Sequence, residues 1–258
     1  MNKRLLVIPD IHDRVDSVQK ICQEAAKDHE TEPFDLILLV GDFTSKNPRG
    51  EAPDWAIRQN ESFKDIVLYK VIGKYLPTVP VVFVPGNHDW PYLGKQESTN
   101  IDGRVAKRAG MNLFGIGGSP TFHQWPYEWS EGVLAQHLNS WYPKDGSVDI
   151  ILSHCPPRGC GAALTKQGVD AGSYVIEELA KKHHGLLVNG HIHEANGLFV
   201  VGNCTIVNAG ALGSAYPACW YVKVNYDPNL KQINTASFKD LDGKEASKYY
   251  TQDTLYKM

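Results

Sequence analysis

Short apolar runs that stop abruptly in polar residues recur along most of the chain. Leu5-Leu6-Val7-Ile8, Leu36-Ile37-Leu38-Leu39-Val40, Val81-Val82-Phe83-Val84, Ile150-Ile151-Leu152 and Leu186-Leu187-Val188 carry no polar alternation. That is the pattern of strands in a sheet covered on both faces. Between the first two runs, Val15, Val18, Ile21, Cys22 and Ala25 keep helical spacing. The pattern predicts further helices over 63–75, 130–141 and 173–184, with Ser130 and Ser173 as N-caps and Gly185 in the C′ position. Leu113-Phe114-Gly115-Ile116 reads as one more short strand, and the chain before it as irregular. From residue 198 onward β-hairpin signals dominate, with connections at Gly202-Asn203 and at Asp227-Pro228-Asn229-Leu230. The polar segment 45–61, with Pro48, Gly50 and Pro53, reads as a long surface loop. The polar tail from about residue 238 is not placed by the pattern.

The residues that end the apolar runs do not belong to a packing code. They are Asp10-Ile11-His12-Asp13, Gly41-Asp42, Gly86-Asn87-His88-Asp89, Ser153-His154-Cys155-Pro156-Pro157 and Asn189-Gly190-His191-Ile192-His193. Each group alone also reads as a hydrogen-bonded turn. Ligands of open α/β folds gather outside the carboxyl ends of the strands, so these side chains share an edge. A carboxylate and an imidazole on one side, as Asp10 and His12 would be in extended chain, suit a divalent metal. Asp13 either joins them or caps the following helix. His191 and His193 share a face if their segment is extended, and reach two adjacent metals if it bends. Arg158, just past His154, either anchors an anionic substrate or solvates its loop, and Arg14 is a second candidate for that contact. The aromatic loop 122–129 either packs into the core or walls a site for an aromatic leaving group.

In order, Asp-x-His, Gly-Asp, Gly-Asn-His-Asp, a strand-end His and Gly-His-x-His resemble the calcineurin-like metallophosphoesterase superfamily over residues 5–212. The finer resemblance is to small single-domain bacterial and archaeal members. It lies in Ser153-His154-Cys155-Pro156-Pro157, Gly190-His191-Ile192-His193-Glu194 and Val207-Asn208-Ala209-Gly210. The resemblance implies an α/β fold, a four-layer α/β/β/α sandwich of two mixed β-sheets packed face to face with helices outside. It implies one domain over residues 1–258 and two divalent metal ions, Mn, Fe, Zn, Ni or Co, with Mn favoured. Asp10, His12 and His193 would hold one ion, Asn87, His154 and His191 the other, and Asp42 would bridge them. His88 would be the catalytic side chain, and a metal-bridging hydroxide the nucleophile. The implied activity is phosphoester hydrolysis, first of all phosphodiester hydrolysis of a small molecule. Phosphomonoesterase or nucleotidase activity, or a non-catalytic interaction scaffold of the same fold, are the alternatives. One position departs from many relatives: where they carry an Asp that orients the motif His, this chain has Ser45.

Composition adds boundaries. The 258-residue chain is long enough for a substantial α/β core. A net charge of −3 gives no basic footprint, which weighs against polymeric nucleic acid as substrate. The five cysteines are odd in number and scattered, which fits a reducing, cytoplasmic setting better than a disulfide framework. No stretch has the length and hydropathy of a membrane span. The natural substrate, the metal identity and the oligomeric state are not written in the sequence.

Overall fold

Two six-stranded sheets account for most of the chain. The computed structural model describes residues 1–45, 54–125, 127–212 and 221–251, with 245–251 described by backbone alone. Residues 46–53 of the expected surface loop, Pro126 of the aromatic loop, Cys219, Trp220 and Tyr256 lie outside the described residues. The chain opens with β1 (Lys3–Ile8), α1 (Val15–Thr31) and β2 (Leu36–Leu39). Next, α2 (Asp54–Asp65) runs through a π-helical stretch, Ile66–Ile72, into the short α3 (Gly73–Tyr75) and on to β3 (Val81–Phe83). Then come β4 (Val105–Arg108), β5 (Met111–Ile116), and the two-residue strands β6 (Ser119–Pro120) and β7 (Glu128–Trp129). They are followed by α4 (Glu131–Trp141), β8 (Ile150–Ser153), α5 (Tyr174–Lys182) and β9 (Gly185–Asn189). The chain ends with β10 (Gly197–Val201), β11 (Cys204–Asn208), β12 (Tyr221–Asp227), β13 (Gln232–Lys239) and β14 (Glu245–Thr251).

The first sheet has the order β14-β13-β12-β1-β2-β3 and the second β10-β11-β9-β8-β5-β4. Both are mixed. In the first, β1, β2 and β3 are parallel while β12 is antiparallel to β1. In the second, β5, β8, β9 and β11 are parallel, and β4 and β10 are antiparallel edges. The uninterrupted apolar runs follow from this layering. Leu5, Val7, Leu36 and Leu38 meet Ile150, Leu152, Leu186 and Val188 between the sheets. Their neighbours Leu6, Ile8, Ile37 and Leu39 point the other way, onto Val18, Ile21 and Cys22 of α1 and Val67 and Val71 of the π-helical stretch. On the far side of the second sheet, Phe114, Ile151 and Leu187 pack on Leu134 and Leu138 of α4 and Ile176 and Leu179 of α5. Burial of each such side chain contributes about 1.5–3 kcal/mol. The expected four-layer sandwich is the observed one.

Four differences from the sequence reading have physical causes. β4 pairs with β5 through Ala109 and Gly110, both at positive φ, in a segment with too few apolar residues to read as strand. The 63–75 helix begins earlier, at Asp54, because polar residues on it are buried by partners rather than by hydrophobicity. Lys64 is buried beneath Glu61 (3.0 Å), Asp65 (3.1 Å) and Glu97. Helix α5 stops at Lys182, and Gly185 begins β9 instead of capping the helix. Phe238 is fully buried at the end of β13, and β14 then adds the edge of the first sheet, so the tail belongs to the fold as far as Thr251.

Candidate metal centre

The two sheets present their strand ends to one edge. Asp10 and His12 follow β1, Asp42 follows β2, Asn87 and His88 follow β3, His154 follows β8, and His191 and His193 follow β9. Ligand atoms of Asp10, His12, Asp42 and His193 all lie within 4.8 Å of one another. The sharp turns that bring them inward put His12, Asp42 and His191 at φ of 47°, 47° and 67°, the left-handed region that non-glycine residues adopt at a cost. The bend at His191 settles how its segment runs. His193 goes to His12, with Nε2 atoms 3.0 Å apart, and His191 goes to His154, ring centroids 5.0 Å apart. Glycine is required where backbone passes under the carboxylates. A Cβ on Gly86 would overlap Asp42, and one on Gly190 would overlap Asp10.

The donor set fits cations. His154 Nδ1 donates to the Val40 carbonyl oxygen at 2.8 Å, so the Nε2 lone pair faces inward. There it meets Asn87 Oδ1 at 2.9 Å. Burial lowers the pKa of His12, His191 and His193, which favours the neutral imidazole that a cation binds. Two ligand atoms of one ion, each about 2.1 Å from it, sit roughly 3 Å apart, which is the spacing of both pairs. Asp42 spans the two groups, with Oδ1 3.5 Å from His154 Nε2 and Oδ2 3.6 Å from His12 Nε2. Burial opposes its ionisation, but His154, His88 and His12 hold its carboxyl below the usual range. Asp10 Oδ2 accepts from the His191 amide at 2.7 Å, whereas Oδ1 is buried without a hydrogen-bond partner among the described residues.

Burial pushes the Asp10 carboxyl up to about 7, against His154 and with the help of Asp42. A cation needs the carboxylate, so binding here displaces the Asp10 proton below that pH and not above it. On Mn²⁺ addition near pH 6 the wild type should release more protons than Asp10→Asn, an excess that vanishes near pH 8.5. Affinity should rise with pH and flatten past neutrality. Calorimetric titration in two buffers of different ionisation enthalpy checks this. Equal release by wild type and Asp10→Asn near pH 6 would show that Asp10 is not the titrating group.

Asp89 ties the turns together. It accepts from the amides of Phe43 (3.0 Å), Thr44 (3.4 Å) and Gly86 (2.9 Å) and from Asn60 Nδ2 (2.9 Å). Asn60 in turn accepts from the Trp90 amide at 2.9 Å. The Asp42 turn and the Asn87 turn are thus joined through one buried carboxylate. Asp89→Ala strands several buried donors and should destabilise the protein by about 2 kcal/mol, with weakened metal retention. Urea unfolding and metal analysis test this, and unchanged stability would remove Asp89 from the framework. Asp89 stands in the Gly-Asn-His-Asp motif and was visible in sequence; Asn60, within a stretch that reads as polar loop, gave no signal.

His88 stands beside the cluster, its backbone amide donating to Asp42 Oδ1 at 2.9 Å. Its Nδ1 lies 3.1 Å from the backbone carbonyl oxygen of Ser45, which fixes Nδ1 as donor. The Ser45 carbonyl, not its hydroxyl, thus holds the ring. Asp13 accepts from the Ser45 amide at 2.9 Å and does not cap α1. A cleft of about 540 Å³ opens over Asp42, Asn87, His88, His191 and His193. Arg158 lines it, its guanidinium 4.4 Å from the Tyr174 ring centroid. Arg14 is not brought to the cleft and forks onto Asp16 at 3.1 and 3.2 Å. The aromatic loop divides. Tyr127 is buried and donates to Asp102, while Phe122, His123 and Trp125 line the cleft, with Phe122 83% exposed.

With this geometry in place, comparison with known proteins is decisive for the family. The sequence model of the calcineurin-like phosphoesterases matches residues 3–195. The chain belongs to that family. The chain is similar to the UPF0046 protein T07D4.2 of Caenorhabditis elegans, at 26% identity over 256 residues, covering 81% of this chain and 59% of the relative. It therefore spans less than two thirds of that relative's length. It is also similar to the human metallophosphoesterase domain-containing protein 1, at 22% identity, covering 87% of this chain and 68% of the relative. The solved structure of TT1561 of Thermus thermophilus shares the fold with a TM-score of 0.61 at 17% identity, covering 93% of this chain and 100% of that one. The family is metal-dependent, and this member carries an Asp and His cluster able to hold a divalent ion. No helix among the described residues is long and apolar enough to cross a membrane.

Proposed function

We propose that this phosphoesterase hydrolyses a small-molecule phosphodiester at a dinuclear site. The observation that carries the reading is Asp42, buried between two converging groups of carboxylate, imidazole and amide donors with His88 beside it. Asp10, His12 and His193 would hold one ion, and Asn87, His154 and His191 the other, with Asp42 shared. Mn²⁺ is the favoured occupant of this carboxylate, imidazole and amide set. Bound ions would supply Lewis-acid charge to the phosphoryl oxygens and acidify an attacking water.

The chain's own residues do the rest. His88, with Nδ1 held by the Ser45 carbonyl, turns Nε2 toward the cleft and delivers a proton to the leaving oxygen. Arg158 is the only arginine or lysine among the described residues that line the cleft. A monoester dianion asks for more cationic donors than that, and a diester carries one negative charge, which favours the diester. The unpaired Cys22, Cys155, Cys160 and Cys204 support a cytoplasmic setting, and the whole of 1–258 is read as one domain.

The test is a panel on metal-reconstituted protein, comparing p-nitrophenyl monoesters, aryl diesters and cyclic phosphoesters at equal metal loading. Diester turnover above monoester turnover is expected. Preference for monoesters would move the assignment to a phosphomonoesterase, and no turnover at full metal loading would leave the fold as an interaction scaffold.

A further inference from the structure

His88 lacks the carboxylate that many relatives use to orient the equivalent imidazole, and what holds it instead is visible. One support is the Ser45 carbonyl at Nδ1. The other is Trp125, whose ring lies 4.2 Å from the His88 ring, centroid to centroid, at 64°. His123 stacks on the outer face of Trp125 at 4.4 Å, and Phe122 meets His123 at 4.5 Å. A row of rings thus runs from solvent down to His88.

The loop bearing these rings has little burial of its own. Phe122, His123 and Gln124 are exposed, and Gln124 takes a φ of 61°. Its base is closed by the pairing of β6 with β7 and by the Ser119 amide on the Tyr127 carbonyl at 3.2 Å. Its tip is closed by the Glu128 amide, which donates to the Trp125 carbonyl oxygen at 3.2 Å, and by one side chain. Glu128 Oε2 accepts from the amides of Phe122 (2.9 Å), His123 (2.8 Å) and Trp125 (3.3 Å). The other oxygen, Oε1, is buried without a hydrogen-bond partner among the described residues. A half-unsatisfied carboxylate is costly to keep out of water. The three convergent amides offset that cost, and among the described residues no other acceptor gathers all three.

We propose that Glu128 is a positioning residue: by gathering the Phe122, His123 and Trp125 amides it presses Trp125 onto His88 and fixes the imidazole at the mouth of the metal centre. The proposal rests on His88 acting on substrate as described above. Glu128 lines the same cleft, but with Oε2 committed to the loop amides and Oε1 buried it is assigned no contact with substrate.

The test uses the full chain loaded with zinc, which is diamagnetic, and compares wild type with Glu128→Ala, Glu128→Gln, Trp125→Leu and His88→Gln. The His88 imidazole resonances are identified by their loss in His88→Gln. Glu128→Ala and Trp125→Leu should shift them in the same direction, because both remove the Trp125 ring current. Glu128→Gln, which keeps an acceptor and the volume, should shift them less. In kinetics, Glu128→Ala should lower kcat/KM for an alkyl diester by about 10-fold, the scale of a slightly misplaced group. It should cost little more in the His88→Gln background. Unmoved His88 resonances in both Glu128 variants overturn the proposal whatever the activity, and so do losses that add fully with His88→Gln. Shifted resonances in a protein that turns over no phosphoester support the positioning and sink the hydrolase reading instead.

Discussion

Asp42→Ala is expected to lose both metal ions and to lower kcat/KM by about 10³-fold or more, at or beyond the cost of losing one strong electrostatic contact in an active site. Oδ1 and Oδ2 of Asp42 face different groups, His154 with Asn87 on one side and His12 with His193 on the other. Asp10 also nears both groups, 3.3 Å from His193 Nε2 and 3.7 Å from His154 Nδ1, but that Nδ1 donates to Val40, so among the described residues only Asp42 meets the inward Nε2 of both His154 and His12. His154→Ala should weaken mainly one ion, because the Asp10, His12 and His193 group does not depend on it. Elemental analysis after dialysis, on variants shown to be folded, separates the cases. A wild-type protein that never rebinds more than one ion under any loading would end the dinuclear assignment, whatever the variants do.

The second large effect concerns His88. His88→Gln should leave metal content intact, since the ring approaches the cluster without joining its inner ligands. If Nε2 gives a proton to the leaving oxygen, the loss falls hardest on poor leaving groups. An alkyl or ribose-leaving diester should slow by about 10²-fold or more, within the range of positioned acids. A nitrophenyl diester, whose leaving oxygen scarcely needs the proton, should slow clearly less. Equal slowing of both would mean that His88 works through substrate binding or transition-state charge. The Ser45 carbonyl bears on that choice. It orients Nδ1 but carries no full negative charge to favour the imidazolium.

Much of this site is legible in the sequence alone, because its logic is one-dimensional. Each ligand follows an apolar run that has to be buried, and a buried parallel strand delivers its last residues to a fixed edge. Asp10, His12, Asp42, Asn87, His154, His191 and His193 all obey that rule. What stayed hidden was held by partners far away in sequence. Asn60 and Lys64 are polar residues whose burial makes sense only once Asp89 and Glu97 are seen beside them. The support under His88 is a backbone carbonyl, which every residue possesses and no motif can announce. The aromatic loop could not be assigned to core or cleft because it serves both: Tyr127 goes inward and Trp125 goes to His88. The turn at His191 chose between two open alternatives through a single left-handed residue.

The ligands come in two sets from two different layers. Asp10, His12, Asp42 and Asn87 ride on the first sheet, and His154, His191 and His193 on the second. The distance across the centre is therefore set by the thickness of the apolar filling between the sheets, by residues such as Val7, Leu38, Leu152 and Val188 that never see substrate. In engineering terms, the filling is a spacer and the ligand pairs are the jaws of a gauge mounted on either side. A change of one methylene in the spacer alters the gap between the jaws while every ligand remains in place. With the site loaded as proposed, substitutions in the middle of the protein should then alter metal preference, at positions where the familiar readout would be stability alone.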